Sequence, residues 1–270
     1  MQDKLRAAVT NIRSRFINRR LSANREAARR ALEANQPLWK TLNEYLAKTT
    51  STGGEYSDYL ALYSHVRKHR PREILECGTG VSTVILAHAL MENERDGGPC
   101  GRITSMEDLE QWYVIAQQLL PEHLAPYVDL VLSPRIEDGW YMFRGVRYET
   151  VPDRRYDFVF VDGPDFDAPS DGMLTFDFDL IRVVEKADQP VHAIIDDRLS
   201  TTFVCQQVFG PDKARYSTQH RLCFVGPVTR HDLLGMDTQK RCFIHSFRYF
   251  GNTELKMRMQ PRKVAGRGGA

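Results

Sequence analysis

Three groups of residues in this chain combine types and spacings that do chemistry. The first is the run Arg72-Glu73-Ile74-Leu75-Glu76-Cys77-Gly78-Thr79-Gly80-Val81-Ser82-Thr83, where two glycines, an acid and several hydroxyls crowd into one turn. Gly78 and Gly80 let the backbone take conformations that a Cβ obstructs. A helix starting at Val81 would aim its free amides into that turn, towards a ligand's polar end. The second is Glu107, 29 residues beyond Gly78. Its carboxylate can receive two donors at once, or it can cap the next helix, as can its neighbour Asp108. The third is Asp162 with Asp196 and Asp197. Each follows an apolar run, YDFVFV or VHAII, so adjacent strands would bring three carboxylates to one sheet edge. Such groups repel one another unless protons or a cation intervene. A hard cation such as Mg²⁺ takes oxygen ligands, and Arg198 is the competing partner that could neutralise the cluster by ion pairing.

Alternating apolar segments supply the elements that must position these groups. Short strands are expected at residues 73–77, 102–107, 127–132, 156–161 and 191–195. Helices are expected at 56–68, 81–91, 109–120, 174–187 and 199–209. A hairpin turning at Arg144-Gly145 is expected within 140–150, and closing strands at 214–225 and 241–249. Strands alternating with helices imply one α/β domain, a Rossmann-like, doubly wound, mostly parallel sheet of seven strands. The chain divides into a basic helical extension at 1–54, the α/β domain at 55–255 and a flexible basic tail at 256–270. The extension carries Leu38, Leu42 and Leu46 four apart. It reads as an arm that lays one stripe on the core or on a second copy of the chain, and the core is expected to fold without residues 1–34.

The string E-x-G-x-G-x-S at Glu76–Ser82 resembles motif I of the class I S-adenosylmethionine (SAM) methyltransferases, and GTGVST is similar to a bacterial O-methyltransferase subgroup. YDFVFVDG followed by IIDDR resembles the cation-dependent catechol-type O-methyltransferases, and VDGP with DDR is closer to bacterial methyltransferases of glycan or secondary-metabolite clusters. The resemblance spans about residues 55–225. It implies SAM as cofactor and methyl transfer to a hydroxyl oxygen of a small molecule or sugar. It places Glu76 and Gly78 beside the methionine part, Gly80 and Ser82 among the cofactor-binding residues, Glu107 on the ribose hydroxyls, Ser133 near the adenine and Asp162 in the cofactor pocket as catalytic residue. It also implies a magnesium ion held by Asp162, Asp196 and Asp197. Two departures stand out: the family's Asp-Asn pair is Asp-Asp here, and Gly163-Pro164-Asp165 replaces its lysine, so the general base is unassigned. Two rivals remain. A nicotinamide-dependent oxidoreductase lacks support, because Thr83 holds the place of the third glycine and no acid follows at the right distance. A catalytically silent module of the same fold would bind a partner through its basic arm.

Composition narrows the class further. A net charge of +2 on 270 residues gives no electrostatic case for nucleic acid. The five cysteines form no CxxC pair and are odd in number, which fits a reducing, cytoplasmic setting rather than a disulfide framework. No apolar run is long enough to span a membrane, and the N-terminus lacks the apolar core of a secretory signal. His88, His192, His220, His231 and His245 show no metal-ligand spacing.

Overall fold

Runs of four or five apolar residues cannot be told from helix by period alone, but their length and flanking turns make them strands. In the structure, a computed structural model that describes residues 19–50, 54–140 and 143–234, they do form strands. They are β1 (Glu73–Cys77), β2 (Arg102–Glu107), β3 (Val128–Leu132), β6 (Phe158–Val161) and β7 (Val191–Ile195). β1 and β6 are buried almost throughout, as strands of a parallel sheet covered on both faces must be. The sheet has seven strands in the order β3-β2-β1-β6-β7-β9-β8, where β8 is Ala214–Ser217 and β9 is Leu222–Val228. The first five run parallel, and β9 is antiparallel to both β7 and β8.

The two faces have separate cores. After a first helix, α1, over residues 19–34, one face carries α2 (Gln36–Leu46), α3 (Tyr56–His69) and α4 (Val81–Arg95), contributing Leu38, Leu62 and Leu86. Of the 15 residues in α4, 12 are buried, so it lacks an amphipathic stripe. The other face holds α6 (Asp179–Lys186) and α7 (Leu199–Phe209), with Ile181, Phe203 and Val208. α5 (Glu110–Leu119) follows β2, and α8 (Arg230–Leu234) follows β9. No helix among the described residues is long and apolar enough to cross a membrane.

The chain leaves β1 towards β2 on one side and returns to β6 on the other, so the strand order reverses between β1 and β6. In open α/β sheets the crevice beyond the carboxyl ends of the strands at such a point receives ligands.

Two expectations need correction. The hairpin is β4 (Arg135–Trp140) with β5 (Phe143–Tyr148), and Gly145 lies inside β5 opposite Asp138 rather than in the turn. A Cβ there would come within 2.3 Å of the Phe176 carbonyl oxygen, so this glycine admits a neighbouring segment. The helix expected from 174 starts only at Asp179, because Leu174 and Asp177 are held in bridges, Asp177 with Val146 and Leu174 with Asp167. In the N-terminal extension, Leu32, Leu38 and Leu42 are buried in the core they share with α3 and α4. The expected strand at 241–249 and the tail at 256–270 lie outside the described residues.

Candidate functional site

The turn after β1 meets the turn after β6 at van der Waals limits. Gly78 has φ of +93°, a region that favours glycine. A Cβ on it would lie 3.0 Å from the Asp162 carbonyl carbon and the Gly163 nitrogen, and one on Gly163 would lie 2.7 Å from the Gly78 Cα. The Asp162 N–H donates to the Cys77 carbonyl (2.8 Å), and the Gly78 N–H to that of Met106 (3.0 Å). Gly80 is extended and leads directly into α4.

Three carboxyls border this crevice. Glu76 is fully buried, and its Oε2 accepts from the hydroxyls of Thr83 (2.7 Å) and Ser105 (2.6 Å). Its Oε1 has no hydrogen-bond partner among the described residues. Burial pushes Glu76 up to about 7, against the pull of the neighbouring hydroxyls. Ser82 is buried in the first turn of α4. Glu107 ends β2, and its Oε1 accepts from the amides of Asp108 and Leu109, both at 3.0 Å. Its Oε2 takes only the Thr79 amide, at 3.4 Å. Glu107 therefore caps the entry to α5 with one oxygen and faces the glycine turn with the other. Burial raises its pKa. Ser133 is buried, and its hydroxyl accepts from the Thr150 amide (3.0 Å) while its own amide donates to the Glu107 carbonyl (2.9 Å). It ties the base of the hairpin to the end of β2.

The third carboxyl, Asp162, sits at the end of β6 beside Asp196 at the end of β7, whose strands pair Val161 with Ile195. The two carboxyls lie close enough to perturb each other. Burial first, and then the charge of Asp196, raise Asp162 well above the usual range; Asp196 is raised too, chiefly by burial. Asp197 does not join them. Its Oδ1 accepts from the Tyr216 hydroxyl (2.7 Å), and its Oδ2 pairs with Arg221. Consecutive residues at a strand end point to opposite sides, so only one of Asp196 and Asp197 could turn towards Asp162. The three-carboxylate magnesium site expected from the sequence therefore does not assemble, and no group of three or more His, Cys, Asp or Glu side chains among the described residues could hold a metal ion.

Arg198 forms a buried ion pair with Asp177 (3.0 Å) and donates to the carbonyls of Pro164 (2.7 Å) and Asp162, while its charge pulls Asp162 and Asp196 down against their burial. It fixes the backbone beneath Asp162. Asp177 carried no strand-end or glycine-turn signal in the sequence. Asp58 was equally silent: it lies in the first turn of α3 and is 9% exposed. Its Oδ2 accepts from the Glu55 amide (2.7 Å), and burial, reinforced by the charge of Asp196, raises it to about 7. Asp58 and Asp196 both line a cavity of about 190 Å³ at the carboxyl edge of the sheet.

No family model and no curated protein matches the chain. Among solved structures, it is similar to the O-methyltransferase TomG from Streptomyces achromogenes, involved in tomaymycin synthesis and in complex with SAM, at 17% identity, 74% of each chain and a TM-score of 0.39. A methyltransferase-like protein from Silicibacter pomeroyi gives 18% identity over 70% of this chain and 94% of that one, with a TM-score of 0.41. An O-methyltransferase from Bacillus cereus in complex with SAH gives 16% over 80% and 77%, with a TM-score of 0.37. These likenesses are too distant to assign a cofactor, a substrate or a reaction.

Proposed function

We propose that the chain is a SAM-dependent methyltransferase that acts on a hydroxyl oxygen of a small molecule or sugar. The observation that carries this reading is the charge at the switch point. Glu76, Glu107 and Asp162 border the crevice beside the glycine turn, and none of the three side chains is ion-paired among the described residues. A pyrophosphate would face three carboxyls there, whereas a cofactor bearing a sulfonium and an ammonium meets opposite charge. The unpartnered Oε1 of Glu76 and the half-used carboxylate of Glu107 are acceptors in search of donors, and a buried acceptor without a donor is costly.

SAM, when bound, supplies an electrophilic methyl group on a sulfonium sulfur. The chain's own residues do the rest. Glu107 Oε2 offers an acceptor for a ribose hydroxyl, Glu76 and the backbone around Gly78 and Gly80 receive the methionine end, and Ser82 helps to line that side of the turn. Ser133 shapes the far wall with its backbone, since its hydroxyl is engaged by Thr150. Asp162 and Asp196, whose carboxyls are raised chiefly by burial, offer a base for the proton that an acceptor hydroxyl must lose. Alignment of hydroxyl and methyl then contributes most of the acceleration.

Calorimetry with SAH and with NADH tests the cofactor. SAH is expected to bind and NADH not. Glu107→Ala should weaken SAH about ten- to a hundred-fold, the value of ~1.5–3 kcal/mol for a hydrogen bond to a charged group. Unchanged SAH affinity in a folded variant removes Glu107 from this role, and tight NADH binding without SAH binding overturns the reading. Label transfer from methyl-tritiated SAM to a panel of hydroxylated small molecules then separates the enzyme from a silent module.

A further inference from the structure

The cavity of about 190 Å³ has walls from three distant parts of the chain. Leu21 of the N-terminal helix, the segment Gly54–Asp58 and the turn Gln219–Arg221 between β8 and β9 close over Asp196 and Asp197. The cavity touches the proposed proton-accepting pair through Asp196. Its size suits one small ring or a short chain.

Its charges are unevenly matched. Four carboxyls line it: Glu55, Asp58, Asp196 and Asp197. Glu55 is paired with Arg25 and Asp197 with Arg221. Asp58 and Asp196 have no cationic partner among the described residues. Among the described residues Asp58 receives the Glu55 amide and the Ser57 hydroxyl (3.3 Å), and Arg198, whose charge acts on Asp196, is ion-paired with Asp177. Arg221, the one cationic lining residue among the described residues, is likewise spent on Asp197. His220, also in the wall, is neutral, because burial lowers its pKa, and its Nδ1 has no partner. An anionic guest would find no free cation here. A neutral one would leave two carboxyls buried without counter-charge, which proteins avoid by pairing or protonation. A guest with one positive charge and hydrogen-bond donors completes the site.

Taking the methyltransferase reading as given, we propose that this cavity is the acceptor site and that it selects an ammonium-bearing hydroxylated acceptor, with Asp58 holding the ammonium group and Asp196 facing the hydroxyl that is methylated. Asp58 is then a specificity-determining residue, contributed by the helix that the N-terminal segment packs against. The ammonium–carboxylate contact is charge-assisted, the stronger kind of hydrogen bond.

The test uses three probes of one size and different charge: 2-amino-2-deoxyglucose, glucose and glucuronate. Binding to the full chain is measured by calorimetry, with and without SAH. The amino sugar is expected to bind roughly tenfold or more tighter than glucose, and glucuronate weakest. Asp58→Asn, which keeps an acceptor for the Glu55 amide, should abolish the advantage of the amino sugar while leaving its melting temperature and SAH affinity near those of the parent. Asp196→Asn serves as a second variant should Asp58→Asn fold poorly, and is expected to reduce the same preference. Equal affinity for amino sugar and glucose, preference for glucuronate, absence of amino-sugar binding at millimolar concentration, or a preference that survives both substitutions would each overturn the proposal. Amino-sugar selectivity without any SAH binding would instead leave the cavity's assignment standing and remove the methyltransferase reading beneath it.

Discussion

Burial of Glu76 at the end of β1 places a carboxyl where its charge is unfavourable unless a cation lies beside it, and its pKa rises from 4.5 to about 7. Across that interval the folded chain binds more protons at this site than the unfolded chain does. The contribution of Glu76 to stability is therefore present below about 4.5 and lost as pH climbs through about 7. Buried histidines act in the opposite sense: His65, lowered to about 3 by burial, is neutral in the fold and charged in the unfolded chain below its ordinary value. The pH profile of the parent mixes both, so the difference between parent and Glu76→Gln is the informative quantity. Glutamine keeps the acceptor for Thr83 and Ser105 and stays neutral. Relative to the parent, Glu76→Gln is expected to gain stability as pH rises from about 5 to about 8, by up to ~3 kcal/mol, while binding SAH more weakly at the higher pH. Parallel profiles in urea or thermal unfolding would show that the carboxyl is not held in a costly charged state, and the match between Glu76 and a cationic ligand would lose its physical basis.

At the scale of elements, Gly145 shows what local pattern hides. Read alone, an Arg-Gly pair between aromatic residues signals a turn. In the fold it sits in β5 so that Phe176 and Phe178 can lie against the strand, with the Phe178 ring 2.6 Å from where a Cβ would be. Gly145→Ala is expected to destabilise the chain by ~1–3 kcal/mol through overpacking, read as a lowered melting temperature, with SAH affinity kept within about a factor of two because Glu107 and the glycine turn lie on other elements. A wild-type melting temperature would mean that the 174–178 segment is not packed on β5. β1, β2, β7 and α7 are legible in the sequence to within a residue, since each is an apolar run bounded by turn or charged residues. The late start of α6 is not legible: Asp177 is pinned by Arg198 and by the Thr201 hydroxyl at 2.6 Å, partners more than twenty positions away. The same limit applies to the aspartates. Sequence places Asp162, Asp196 and Asp197 at one edge, but the partner of each carboxyl depends on β8 and β9, which bring Tyr216 and Arg221 to Asp197.

For the whole molecule, the question is whether the N-terminal helices belong to the core or only lean on it. A helix period with leucines four apart fits either, because amphipathicity reveals a buried stripe without saying what buries it. The structure answers through contacts. Leu38 and Leu42 are 0% exposed, as buried as Leu62 of α3, and all three share one cluster with α4 beneath the sheet. Asn35, which caps α2, also donates to Glu92 of α4 and to the Tyr63 hydroxyl, both at 2.9 Å. The segment that opens the chain further supplies Leu21 to the cavity wall and Arg25 as the partner of Glu55. Leu38→Ala should therefore cost ~2–5 kcal/mol, the range for a leucine removed from a close-packed core, and match Leu62→Ala within experimental scatter. A separable arm would give a different pattern, with Leu38→Ala melting like the parent while Leu62→Ala falls. If the two variants fall together, any loss of cavity binding in Leu38→Ala reports the coupling between this core and the site, because the helix that buries Leu38 follows directly on the one that carries Leu21 and Arg25.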